Sequence, residues 1–217
     1  MVKIDGWYYP NNVSIQHNPN ESKSLQDWQL KQINPHHIWW SDITNVVGKT
    51  DTYATSHYDY IRKNGVPYYN YPWTVSAHDF GIAEEDIPND AHLKEIRFRV
   101  RMKQTKGGDV EFPRGLLCVY GHNNSNLDNT TWKETGWHNN LYLVNPETVL
   151  SSSKFTYFDY VLTEENIRKA KITPKDLRKT LMGIDLIFDQ LTMSPSTVYL
   201  QRVALKVDWD RPSYKDS

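Results

Sequence analysis

The chain of 217 residues contains a single cysteine, Cys118. That excludes a disulfide framework within the chain and any multi-cysteine zinc site. Cys118 lies in the apolar run Leu116-Leu117-Cys118-Val119-Tyr120, where a thiol packs as a small hydrophobe. Nothing in the sequence signals the base or the lowered pKa that a cysteine nucleophile needs. No apolar run approaches the roughly 18 residues of a membrane-spanning helix. No excess of basic charge exists either: 25 Lys+Arg stand against 26 Asp+Glu. Sequence-independent nucleic-acid binding draws on such an excess. Neither nucleic acid nor membrane insertion is expected.

Catalytic signatures are equally scarce. None of the 10 glycines falls in a phosphate-cradling loop or a Gly-x-Ser-x-Gly turn. No His-x-x-x-His or His-Glu-x-x-His occurs. The adjacent His36-His37 would point to opposite faces of a strand, so no metal site is expected, and no cofactor. Glu84-Glu85-Asp86 and Glu164-Glu165 are carboxylate pairs in polar turns. Glycoside hydrolysis requires two carboxylates facing each other across a cleft. No catalytic residue is assigned, and the chain is not expected to be an enzyme.

Aromatic residues are abundant, with 14 Tyr and 8 Trp, which excludes wholesale disorder. Along Glu95-Ile96-Arg97-Phe98-Arg99-Val100-Arg101-Met102-Lys103, apolar and charged residues alternate without a break. Period 2 predicts a strand with Ile96, Phe98 and Val100 buried and the basic row outward. Val203-Ala204-Leu205-Lys206-Val207-Asp208-Trp209 repeats the pattern. Short strands are also predicted around Trp73–Phe80, Leu116–Tyr120, Leu141–Val144, Phe155–Leu162 and Ile184–Phe188. Thr163 caps a short helix over Glu164–Lys171, and Thr173-Pro174 opens a second helical turn ending at Gly183. Many short strands with few helical turns predict an all-β fold, an antiparallel jelly-roll-like β-sandwich with one or two short helices.

Residues 11–35 are rich in Asn, Gln and Ser and hold no period. Residues 1–35 are therefore read as an extended N-terminal arm, followed by a sandwich domain over 36–211 and a tail over 212–217. The arm carries isolated large groups, Trp7, Tyr8, Tyr9 and Trp28 among them. Spaced anchors on a polar thread suit docking on a neighbour.

Several segments resemble the jelly-roll-like modules of bacteriophage virion proteins, chiefly tail, baseplate and fibre components. They are Trp40-Ser41-Asp42-Ile43-Thr44-Asn45, Thr52-Tyr53-Ala54-Thr55, Phe80-Gly81, Ile87-Pro88, Ala91 to Val100, Met182 to Leu186, and Val203 to Trp209. The resemblance spans roughly residues 39–209 and carries no catalytic residues. It implies a structural component of a virion (tail, baseplate, collar or fibre). Its partners would be other virion proteins, copies of itself and a host cell-surface glycan. Met1 to Pro10 contain no apolar signal core, which fits assembly in the host cytoplasm and residence in the virion.

The candidate contact residues are aromatic: Trp7, Tyr8, Trp28, Trp39, Trp40, Tyr68, Tyr69, Tyr71, Trp73, Trp132 and Trp137. Such groups stack on sugar rings, anchor protein interfaces, or plug the ends of the sandwich. Arg97, Arg99 and Arg101 form a basic face that meets either solvent or an anionic partner. The alternative function is a carbohydrate-binding module attaching to a cell-wall glycan.

Overall fold

The computed structural model describes residues 3–16, 38–58, 61–63, 66–68, 74–105, 114–118, 142–143, 154–180, 182–187 and 196–211. The alternating segments form the two long strands, β7 (His92–Gln104) and β12 (Ser196–Asp210). They pair antiparallel at the centre of one sheet. On β7, Ile96, Phe98, Val100 and Met102 are buried while Arg97, Arg99, Arg101 and Lys103 are half-buried on the opposite face. The predicted faces are the observed ones. On β12 a bulge between Leu200 and Arg202 makes Gln201 the extra residue, after which Val203, Leu205 and Val207 point inward.

The remaining strands arrange around this pair. They are β1 (Asn12–Gln16), β2 (Ile38–Ser41), β3 (Ala54–Tyr58), β6 (Thr74–His78), β8 (Arg114–Cys118), β9 (Tyr142–Leu143), β10 (Thr156–Thr163) and β11 (Gly183–Ile187). One sheet runs β1-β6-β11-β8-β9 and the other β10-β7-β12-β3-β2, with all pairings antiparallel. A small hairpin, β4 (Ile61–Lys63) with β5 (Val66–Tyr68), stands apart from both.

From β3 onward the chain passes between the sheets in the order of a jelly roll. Strands β3-β12-β7-β10 make one four-stranded layer and β6-β11-β8-β9 the other. Strands β1 and β2 extend the two edges. The core joins Val75, Ala77, Ile184 and Leu186 of the first sheet to Ile96, Phe98, Tyr160 and Leu205 of the second. The fold is an all-β jelly-roll sandwich.

Gly183 lies where β11 comes close against β6. A Cβ there would lie 2.0 Å from the Ala77 carbonyl oxygen, so only glycine allows β11 and β6 to approach. The sequence reading made Gly183 the end of a helix. It opens a strand instead, and the preceding turn is a single short 3-10 turn over Asp176–Arg178. There the Asp176 carboxylate accepts from the Thr173 N–H and hydroxyl, both at 2.8 Å. The first predicted helix, α1 (Glu164–Lys169), is capped as expected by the Thr163 hydroxyl, which accepts from the Asn166 N–H at 3.4 Å.

The arm reading needs correction over residues 3–16. Asp5 and Gly6 both have positive φ (53° and 80°), and Ile4 and Trp7 exchange backbone hydrogen bonds across them. This tight Asp-Gly hairpin was a readable signal. Tyr8 then exchanges both backbone bonds with Leu205 at 2.8 Å, beside the part of β12 that β3 leaves uncovered. Farther on, β1 pairs with β6 in the other sheet. The segment therefore stitches the two sheets together, with Tyr8, Tyr9 and Val13 buried. Its polar composition misled because its few apolar groups do fill the chain's own core. Residues 17–37, with Trp28, lie outside the described residues.

Candidate functional site

The outer face of the β7–β12 sheet collects the exposed chemistry of the described residues. Period 2 puts Arg97, Arg99, Arg101 and Lys103 in a row on β7. The register decides what lies beside each. On β10, Tyr157 faces Arg101 and Asp159 faces Arg99. On β12, Tyr199 faces Lys103, Arg202 faces Arg101, Ala204 faces Arg99 and Lys206 faces Arg97.

Asp159 is the organising anion. It accepts from Arg99 Nε and Nη2, both at 2.7 Å, and from Arg97 Nη1 at 3.0 Å. Burial alone would raise its pKa, but the hydrogen bonds from Arg99 and Arg97 outweigh that and hold it below the ordinary carboxylate range. The Arg99 pKa moves up, chiefly through the same hydrogen bond. Glu95 gives Arg97 a second partner at 2.8 Å.

Aromatic rings are interleaved with these cations. The Trp7 ring covers the Arg99 guanidinium at 4.4 Å. Arg101 lies between Tyr157 (5.2 Å) and Phe155 (5.6 Å), and Lys103 between Phe155 (4.7 Å) and Tyr199 (5.0 Å). Tyr53 meets Tyr199 edge-on at 5.2 Å. Tyr53 and Tyr157 are 42% and 48% exposed.

Where the Asp5-Gly6 hairpin folds over the sheet, a depression of about 190 Å³ opens to solvent. Ala204 is its floor, because a small side chain there leaves a hollow between Arg99 and Arg202. Trp7, Tyr9 and Tyr157 supply ring surface, and Asp5, Lys49, Arg99 and Arg202 supply polar groups. Lys49 bonds Asp5 at 3.1 Å. Arg202, 9% exposed, bonds the Thr50 carbonyl at 2.9 Å, Asp51 at 3.2 Å and the Tyr157 hydroxyl at 3.3 Å. Lys49 and Arg99 are thus paired with Asp5 and Asp159, while Arg202 has only the exposed Asp51 as its carboxylate, giving fixed donors and acceptors around the hollow.

Of the residues singled out from the sequence, Trp7, Arg97, Arg99 and Arg101 meet on this face. Tyr8 and Trp40 are buried, at 4% and 6% exposure, and present no surface to a ligand. Burial pushes the Tyr8 hydroxyl up to about 12, and the Asp86 charge adds to that. Trp39 belongs to β2 and Tyr68 to the β4–β5 hairpin. Tyr69, Tyr71, Trp73, Trp132 and Trp137 lie outside the described residues. Sequence reasoning did not single out Tyr53, Tyr157, Tyr199, Lys49, Asp159 or Arg202. Alternation in β10 could have turned Tyr157 and Asp159 outward together, but only strand pairing sets them against Arg101 and Arg99. Among the described residues, no group of three or more His, Cys, Asp or Glu is placed to hold a metal ion.

The topology defines a jelly-roll β-sandwich. No protein-family model matches the chain, and no curated protein does. A solved structure described as "CBM4 structure and function" aligns with a TM-score of 0.36 and 16% sequence identity, covering 72% of this chain and 84% of that one.

Proposed function

We propose that the chain is a non-catalytic glycan-binding module that takes its ligand on the outer face of the β7–β12 sheet. The depression floored by Ala204 carries this reading. A sugar ring offers an apolar C–H face and a rim of hydroxyls that both donate and accept. The depression offers the complement: ring surface from Trp7 and Tyr157, with charge-paired Asp5, Lys49, Arg99 and Arg202 around it. Groups already held by partners lose little freedom on binding. At about 190 Å³ the hollow is smaller than the roughly 300–1,000 Å³ of pockets that engulf a drug-sized ligand. That size suits one ring of a longer chain lying on the open sheet.

Two arginines hold Asp159, the carboxylate at the centre of this face, low, which does not suit it to the raised-pKa role of a glycosidase acid. The reading as a virion component that assembles through its arm has no support in the comparisons. Its arm, over residues 3–16, is built into the chain's own sheets.

The test is a glycan array probed with the protein and with Tyr157→Ala. Tyr157 is about half exposed, at 48%, so its loss should leave the fold intact. Binding to a defined glycan set, weakened about tenfold or more in the variant, is the expected result. A silent array, or binding indifferent to Tyr157, overturns the proposal.

A further inference from the structure

We infer that the glycan is acidic, and that a carboxylate, phosphate or sulfate on it is held by Arg101 and Arg202 beside the depression. This deepens the proposed function and rests on it. The register sets Arg101 directly opposite Arg202 on the same face, and like charges directly opposite destabilise a sheet. A second such pair, Arg97 opposite Lys206, shows how the sheet normally answers this cost. There Arg97 is met by Glu95 and Asp159, and Lys206 by Asp208 at 3.2 Å.

At Arg101 no such answer exists among the described residues. The Arg101 side chain makes no hydrogen bond or ion pair with them and lies against the Tyr157 and Phe155 rings. Arg202 has one carboxylate, Asp51, whose side chain is 95% exposed. The Nε atoms of both arginines are buried with no hydrogen-bond acceptor among the described residues. Next along the row, Lys103 also has no ion-pair partner among them. A buried donor without an acceptor costs free energy, more so when the group is charged.

These cations are also held in place. Rings flank Arg101 and Lys103, and hydrogen bonds hold Arg202. An incoming anion therefore meets donors whose ordering is largely complete. A guanidinium presents a planar fork that matches the oxygens of a carboxylate, phosphate or sulfate. Arg202 lines the depression as well, so a ring in the hollow places its anionic substituent, or that of the next ring, against Arg101. From Arg99 to Lys103 the row extends about 14 Å at ~3.4 Å per residue, room for a short stretch of chain. Acidic residues close the other end of the row at Asp159 and Glu95. A nucleic-acid backbone would need a longer, uninterrupted basic track.

The test uses an array pairing neutral glycans with their uronic-acid, phosphorylated and sulfated counterparts. Probes are the wild-type chain, Arg101→Gln and Lys103→Gln, each checked by thermal melting. Acidic members should bind about tenfold or more tightly than their neutral counterparts, and salt should weaken that binding. Arg101→Gln should bring acidic members down to the level of their neutral counterparts, with no fall in melting temperature. Lys103→Gln should give a smaller loss in the same direction. Equal binding of acidic and neutral members, or an acidic preference that survives in Arg101→Gln, overturns the inference and leaves the proposed function standing. A silent array overturns both, and binding of duplex DNA in its place would assign the face to a nucleic acid.

Discussion

Asp159 grips Arg99 through both nitrogens of one guanidinium edge, Nε and Nη2 each at 2.7 Å, while the Trp7 ring covers that guanidinium at 4.4 Å. Three distant parts of the chain meet there: the N-terminal hairpin, β7 and β10. The fork fixes the donors of the depression and ties β10 to β7.

Asp159→Ala should therefore lower stability by roughly 1.5–3 kcal/mol, the range for hydrogen bonds to charged groups. The Asp159 pKa is lower folded than unfolded. Its contribution is thus complete above about pH 4 and is lost as pH falls through the folded value. Urea unfolding from pH 7 to pH 2 should show an acid loss in the wild-type chain that is smaller in the variant. Equal acid slopes would contradict the assignment.

His78 titrates with consequences in a different window. Burial lowers its pKa below 6.5, against the raising effects of the Thr180 carbonyl and the Asp79 charge. Its Nδ1 lies 3.2 Å from that carbonyl, an acceptor only, so the neutral ring carries its proton on Nδ1. The unfolded chain binds the second proton more readily than the folded one. Stability should be complete above pH 6.5 and fall as pH drops below it. His78→Gln should flatten the curve below pH 6.5. A curve of unchanged shape would show that other groups set this dependence.

Gly183→Ala should be costly although the side chain added is the smallest. The new Cβ would meet the Ala77 carbonyl oxygen at 2.0 Å, a clash with backbone that no rotamer relieves. Forced separation of β6 and β11 should cost at least the roughly 1–3 kcal/mol typical of overpacking. Denaturant midpoints measure it, and a midpoint within error of wild type would show that the two strands are not held this close.

Deleting residues 1–16 should leave a poorly folded sandwich. The deletion removes Tyr8, Tyr9 and Val13 from the interior and uncovers an edge of β6. At about 1.5–3 kcal/mol for each large apolar side chain buried, the loss rivals the whole stability of many domains. Circular dichroism melting should show a large drop or no cooperative transition. A truncated chain melting like the full one would restore the arm reading for this segment.

Local pattern carried much of the architecture. The unbroken alternation from Glu95 to Lys103 told which side chains of β7 are buried, because a strand has only two faces. The Thr163 cap and the acids after it marked α1 for an equally local reason. Where local and tertiary demands diverged, the reading failed. Gly183 after a helical start looked like a helix end, yet it is needed for close approach to Ala77, a residue far away in sequence. Residues 3–16 looked too polar to pack, yet Tyr8 and Tyr9 fill space that other strands leave open.

The candidate face shows the same division. Alternation alone turned Arg97, Arg99 and Arg101 to one side, since period 2 is a property of the extended backbone. Nothing local said that Asp159 would clasp Arg99, that Tyr157 and Arg202 would flank Arg101, or that Ala204 would open a hollow between Arg99 and Arg202. Those neighbours come from strand register, which is set by the packing of the whole sandwich. Composition and pattern determined an all-β chain with a basic, half-exposed strand face. Only tertiary structure decided which of those charges meet a carboxylate within the described residues and which, like Arg101, do not.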